Sequence, residues 1–162
     1  MGLVDKKIKI VSFEDKYAAA FKQLNLQWLE DYKLFEPADL KYLDKPRSVI
    51  LEQGGKILIA VSEDAVIGTC AIIKESSRKA ELAKLAVSSN VQGRGIGRLL
   101  TLESIKMAQK MGFKKLFLVS NKKLKTAVLL YESLGFKHAP VPEDTIYATA
   151  DIYMELKIGV DQ

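Results

Sequence analysis

Apolar residues keep two rhythms along this chain, and each change of rhythm marks a new element. Residues 8–13, Ile-Lys-Ile-Val-Ser-Phe, read as an opening strand. Tyr17, Ala20, Phe21, Leu24 and Trp28 then recur at helical spacing and predict a helix over 17–28, with a second around 37–43. Gly54 and Gly55 make a turn into two apolar runs, 56–61 and 65–73, separated by Ser62-Glu63-Asp64, the signature of a hairpin. A third run over 79–87 completes an antiparallel meander.

Beyond residue 87 a polar, glycine-rich loop, Ser88 to Gly97, opens a helix whose apolar stripe is Ile96, Leu99, Leu100, Met107, Ala108 and Met111. Gly112 stands where a left-handed helix cap belongs. Residues 116–119 are wholly apolar and predict a central strand. The helix expected over 124–134 carries Leu124, Ala127, Val128, Tyr131 and Leu134 on one face and ends at Gly135; Pro140 and Pro142 mark a loop before a last strand at 151–156. This order predicts one α/β domain over 1–162, a mixed sheet with helices on both faces. In such sheets ligands gather beyond the carboxyl ends of central strands, where this chain places its glycine-rich loop.

Composition narrows the function classes. The 162 residues are 48% apolar and 28% charged, ordinary for a globular domain able to bury a core. No apolar run approaches the roughly 20 residues that cross a bilayer, and the first residues lack the apolar block of a signal peptide, so a cytoplasmic protein without a membrane partner is expected. Cys70 is the only cysteine, which excludes an internal disulfide and a thiolate metal site; in its apolar run it reads as a buried small hydrophobe. His138 is also alone and falls in a connecting segment, which argues against a hydrolytic triad. Lys and Arg exceed Asp and Glu by 25 to 20, a mild excess that favours an anionic ligand without being a nucleic-acid footprint. The group Lys114, Lys115, Lys122, Lys123 and Lys125 reads as a solvated rim. No metal is expected.

Glycines at 93, 95 and 97 leave the backbone open to a ligand, and the helix they start presents unpaired amides and a positive dipole end. Arg94 and Arg98 add charge and Gln92 a donor, so a diphosphate suits the loop. Neither rival nucleotide motif fits: Arg98-Leu99 follows the last glycine where a triphosphate loop needs Lys and Ser or Thr, and the Gly-x-Gly-x-x-Gly spacing is absent.

Gln92-Gly93-Arg94-Gly95-Ile96-Gly97 resembles the pyrophosphate signature of the GNAT superfamily of acyl-CoA N-acyltransferases. Residues 81–87 look like that family's fourth strand, and Tyr131-Glu132-Ser133-Leu134-Gly135-Phe136 like the end of its fourth helix. The resemblance implies a mainly antiparallel central sheet of six or seven strands and acetyl-CoA (coenzyme A) as cosubstrate. It implies that backbone groups of Leu85, Ala86 and Val87 pair with the pantetheine arm, that the stretch Gln92, Gly93, Arg94, Gly95, Ile96 and Gly97 holds the pyrophosphate, and that Asn121 hydrogen-bonds the coenzyme. Tyr131 matches the tyrosine that protonates the leaving thiolate; its place in an apolar stripe leaves a core role open. Glu81 is the candidate base, on the expectation that 81, 83, 85 and 87 share one strand face, where a carboxylate interrupts Ala83, Leu85 and Val87; a strand end can equally leave it in solvent.

Two positions depart from the family pattern: Leu124 stands where Asn is common, and Tyr147-Ala148-Thr149-Ala150-Asp151 lacks an arginine found in some members. The acceptor site is expected from Trp28, Asp31, Tyr32, Phe35, Glu36, Tyr147 and Asp151, whose acids and aromatics suit a cationic amine, small or on a peptide or protein. A homodimer is implied by the resemblance alone. The reading is thus an N-acetyltransferase working by direct attack in a ternary complex, the alternative a non-catalytic acyl-CoA-binding regulatory module. A nucleic-acid-binding domain would need a contiguous basic face with exposed aromatics.

Overall fold

The computed structural model describes residues 7–159. Seven strands form one sheet in the order β1-β2-β3-β4-β5-β7-β6. β1 (Ile8–Ser12), β2 (Lys56–Ser62), β3 (Ala65–Lys74) and β4 (Lys79–Val87) run antiparallel, each beside the next. β5 (Lys115–Ser120) lies parallel to β4, and β7 (Ile152–Lys157) pairs antiparallel with both β5 and the short β6 (Lys137–Ala139). The meander, the mixed sheet and the helices on both faces match the sequence reading. β6 is an addition, too short at three residues to leave a periodic signal.

The sheet separates two cores. On one face α3 (Ile96–Lys110) and α4 (Lys125–Ser133) lay Ile96, Leu100, Ala108 and Tyr131 against Cys70, Leu82 and Leu116. On the other, α1 (Ala18–Asp31) and α2 (Pro37–Asp44) lay Phe21, Leu29 and Leu43 against Ile57, Ile59 and Ala71. Pro37 starts α2 where its missing N–H costs nothing.

Three expectations need correction. The buried line of α1 is Phe21, Asn25 and Leu29, rotated from the apolar stripe, because buried Asn25 donates to Phe21 O at 2.9 Å and to Thr69 Oγ1 at 3.1 Å. Leu99, placed on the α3 stripe, is exposed. The alternation of β4 also breaks. Thr69 faces Ala86 while Ala71 faces Ala83, so β3 meets an extra residue, and Lys84 takes a left-handed φ of 55°. Ala80 and Leu82 pack into the α3 core, and beyond the bulge Leu85 and Val87 pack there too. Glu81 therefore does not share a face with Leu85 and Val87: the extra residue reverses the parity of the strand.

Candidate active site

β4 and β5 pair over only three positions, from Lys79 with Lys115 to Glu81 with Phe117. Past Glu81 the strands part, which among the described residues leaves the β5-facing edge of β4 without a strand neighbour over 82–87. The bulge adds to this divergence, since an extra residue bends its strand. It is braced from behind by Thr69, whose hydroxyl donates to Lys84 O at 2.8 Å and accepts from Asn25.

The glycine-rich turn lies just beyond the end of β4. Gly93 and Gly95 have φ of 82° and 79°, and a Cβ on either would stand in open space. Both are therefore needed for backbone shape rather than for close packing within the chain. Val91 N–H bonds Ser88 O and Leu99 N–H bonds Gly95 O; among the described residues no acceptor meets the amides between them. A row of free N–H groups opening onto the start of a 15-residue helix is a cradle for an anion, and a coenzyme A pyrophosphate fits it. The Gln92 side chain folds back to donate to Val87 O at 3.2 Å, and Arg98 donates to Ser133 Oγ at 3.2 Å, tying α3 to α4.

In the gap between the strands a cavity is bounded by Trp28, Glu81, Lys84, Asn121, Leu124 and Tyr147. A second cavity adjoins it along the sheet, bordered by Tyr42, Lys79 and Phe117, and Glu81, Val119 and Tyr147 line both. Its floor is the stacked pair Phe117 and Tyr153, with centroids 5.6 Å apart and Lys79 Nζ 4.7 Å from the Phe117 ring.

Glu81 stands where the two cavities meet. Burial pushes its carboxyl up to about 7, Lys84 nearby pulls it down less strongly, and Glu75 adds to the rise. A carboxyl that changes charge near neutrality is suited to exchanging a proton with an amine. Lys84 is buried in the same wall: its Nζ lies 3.0 Å from Asp39 Oδ1 and 3.3 Å from the Tyr147 hydroxyl, with the rings of Tyr42 and Tyr147 at 5.4 and 5.3 Å. The other Asp39 oxygen accepts from Glu36 N–H at 2.8 Å at the start of α2.

The segment between β6 and β7 arches over this wall. Glu36 accepts from the backbone N–H groups of Ala148 and Thr149, at 2.9 and 3.0 Å, and from the Thr149 hydroxyl at 2.5 Å. Burial raises the Glu36 carboxyl, but these bonds together outweigh it and leave its pKa lowered. Asn121 donates to Thr149 O at 2.7 Å and accepts from Lys123 N–H at 2.9 Å, and Asp151 accepts from Lys122 N–H at 2.9 Å. In this structure the Asn121 and Asp151 side chains hold the loop rather than point free.

Of the acceptor residues expected from sequence, Trp28 and Tyr147 reach the cavity, Glu36 straps the loop, and Tyr32 and Phe35 are 47% and 40% exposed away from it. Asp39, Tyr42 and Lys84 were not foreseen. Their signal was a lysine inside the otherwise apolar run 82–87 and an acid in the first turn of α2. Tyr131 lines neither cavity; its ring is buried edge-on to Phe136 at 5.8 Å, and burial, with Cys70 close by, raises its phenol. Cys70 is itself pushed up to about 12 by burial, which leaves an inert thiol. His138 sits outside the cavities, 2.9 Å from Glu132. Among the described residues no group of His, Cys, Asp and Glu is arranged to hold a metal, and no helix is long and apolar enough to cross a membrane.

Comparison with known proteins gives this geometry its kin. An Escherichia coli protein named as an uncharacterized N-acetyltransferase, YjgM, is 31% identical over 99 residues, a match that spans 59% of each chain and so less than two thirds of the relative. The fold of a GNAT-family acetyltransferase from Staphylococcus aureus Mu50 superposes with a TM-score of 0.86 at 17% identity, over 94% of this chain and all of that one. A putative acetyltransferase of Salmonella typhimurium, yncA, solved with acetyl-CoA, superposes at 0.73 with 20% identity over 96% of each chain. The sequence profile of the Acetyltransferase (GNAT) family matches residues 20–136, and the chain belongs to that family.

Proposed function

We propose that this protein transfers the acetyl group of acetyl-CoA to a primary amine by direct attack within a ternary complex. The observation that carries the reading is the gap between β4 and β5, with free turn amides at its mouth and the Glu81 carboxyl inside it. The cosubstrate supplies an acyl group already activated as a thioester.

The chain's own groups do the rest. The amides of Gln92 to Gly97 hold the pyrophosphate, and the unpaired edge of β4 at Leu85, Ala86 and Val87 offers backbone groups to the pantetheine arm as a neighbouring strand would. The amide near Leu85 polarises the thioester carbonyl. Glu81 takes the proton of the acceptor ammonium, the nitrogen lone pair forms the C–N bond, and the C–S bond breaks as the thiolate leaves. Tyr131, which lines neither cavity but whose raised phenol stays protonated at neutral pH, is the donor that the family resemblance assigns to that thiolate. Asn121 contributes to coenzyme binding once its bond to Thr149 O is exchanged for one to the ligand.

A cytoplasmic setting is supported by the lone buried Cys70, which needs no oxidising compartment. A homodimer follows the habit of the family, and sedimentation velocity tests it. The main test is a screen of amines with acetyl-CoA that reads free thiol and product mass. Thiol release that rises with one amine, and falls at least tenfold in Tyr131→Phe, is the expected result; tight coenzyme binding with no release from any amine overturns transfer in favour of a binding module.

A further inference from the structure

Lys84 is an expensive residue for a fold to keep where it is. Its backbone sits at φ 55°, a region that costs a non-glycine residue on the order of 1 kcal/mol, and its side chain is only 7% exposed. The ion pair with Asp39 repays little of this, since two buried charges lose about as much hydration as they gain in attraction. Stability alone does not account for the arrangement, whereas its position in the cavity wall beside Glu81 does.

An ammonium has three protons and no acceptor. Two of those on Lys84 go to Asp39 Oδ1 and the Tyr147 hydroxyl; the third meets no hydrogen-bond acceptor among the described residues and has only the Tyr42 and Tyr147 ring faces, 5.4 and 5.3 Å away, beside it. Tyr147 spends its oxygen accepting from Lys84, and its own O–H meets no acceptor among the described residues. That O–H stays protonated: burial raises the phenol first, and Asp39, Glu81, Tyr42 and Glu36 raise it further. Two spare donors thus stand 3.3 Å apart in the wall of the cavity that also holds the base. The group complementary to them accepts only and offers two oxygens. A plain amine has no such group.

We propose that the acceptor bears a carboxylate beside its amine, as a free α-amino acid does, and that Lys84 and Tyr147 hold that carboxylate while Glu81 receives the ammonium proton. The proposal rests on the transfer activity proposed above and names the substrate class of that site. Lys84 and Tyr147 are then specificity-determining residues.

The test pairs L-phenylalanine with phenethylamine and with L-phenylalaninamide, and L-leucine with isoamylamine, adding a terminally blocked lysine peptide as a further probe. Each is given with acetyl-CoA and free thiol is read. The carboxylate member of each set is expected to lead by tenfold or more in kcat/KM. Lys84→Met is expected to bring that ratio toward one through KM of the amino acid, with Lys84→Arg keeping part of it. Tyr147→Phe leaves the Lys84–Asp39 pair in place, and it is expected to cut the ratio several-fold even if Lys84→Met does not fold. Equal or better turnover of the decarboxylated amine or the amide, release only with the lysine peptide, or an equal loss for both members of a pair in Tyr147→Phe overturns the proposal and leaves the transferase standing. No thiol release with any probe overturns the transferase reading and this proposal with it.

Discussion

A carboxyl that ionises near pH 7 acts in opposite senses on catalysis and on stability, and Glu81 is such a group. As a base it works only without its proton, so kcat/KM should fall about tenfold per pH unit below its pKa. Glu81→Gln should lower kcat/KM by roughly 10²–10⁴ near neutrality and abolish the break near pH 7, leaving a rate that only follows the free-amine fraction upward, as read from thiol release between pH 5.5 and 8.5. Stability runs the other way. The folded-state pKa, about 7, lies above the ordinary 4.5, so the proton favours the folded form; that stability is complete below about pH 4.5 and is lost as pH rises through about 7. Glu81→Gln keeps a neutral side chain at every pH. Its thermal midpoint should match the parent near pH 4.5 and exceed it at pH 8. A midpoint difference that is the same at both pH values would show a carboxyl already free in solvent, with no reason to act as a base near neutrality.

The bulge of β4 shows what an element's pattern of residues tells in advance and what it hides. The glycines at 93, 95 and 97 were legible as a cluster, and Gly93 and Gly95 do have the positive φ that glycine adopts cheaply, whereas Gly97 lies in α3 with room for a methyl. Gly95→Ala should therefore cost about 1 kcal/mol in urea melts through φ alone, while weakening coenzyme A by tenfold or more in calorimetry as a methyl enters the cradle. An extra residue in a strand leaves no such mark. Strict alternation put Glu81 on one face with Leu85 and Val87, and the reversal at Lys84 depends on Thr69 and Asn25, which are 15 and 59 positions away in sequence. For the same reason Asp39 and Lys84 were missed, each unremarkable alone and meaningful only as a pair joined across the fold. Thr69→Val tests the brace. It leaves the Asn25 N–H and the Lys84 carbonyl short of a partner, at about 1–3 kcal/mol. Turnover should fall further than coenzyme affinity, because the bulge aims Lys84 and not the turn amides.

The molecule consists of two halves that share little sheet. β1 to β4 with α1, α2 and α3 lie on one side, β5 to β7 with α4 on the other, and three residue pairs of β4 and β5 join the strands between them. Beyond the sheet they are joined by the apolar core in which Leu82, Ile96 and Leu100 meet Leu116, Tyr131 and Met154, and along the open gap by polar ties: Glu36 to Ala148 and Thr149, Lys84 to Tyr147, Arg98 to Ser133. A pantetheine arm laid along the free edge of β4 would close the seam that the sheet leaves open, so binding should stiffen both halves at once. At a hundredfold excess over Kd, a ligand specific to the folded state adds about 2.7 kcal/mol, or roughly 5–10 °C in thermal midpoint for a domain of this size. Hydrogen exchange gives the sharper readout. Coenzyme A should slow exchange at 85–87 and 93–98 together, the strand edge and the turn, since one molecule spans both. Adenosine 3′,5′-bisphosphate, which carries no pantetheine arm, should protect neither the strand edge nor the seam. Protection of the turn alone by coenzyme A would mean that the arm does not enter the gap, and the site would then lack the one contact that brings a thioester to Glu81.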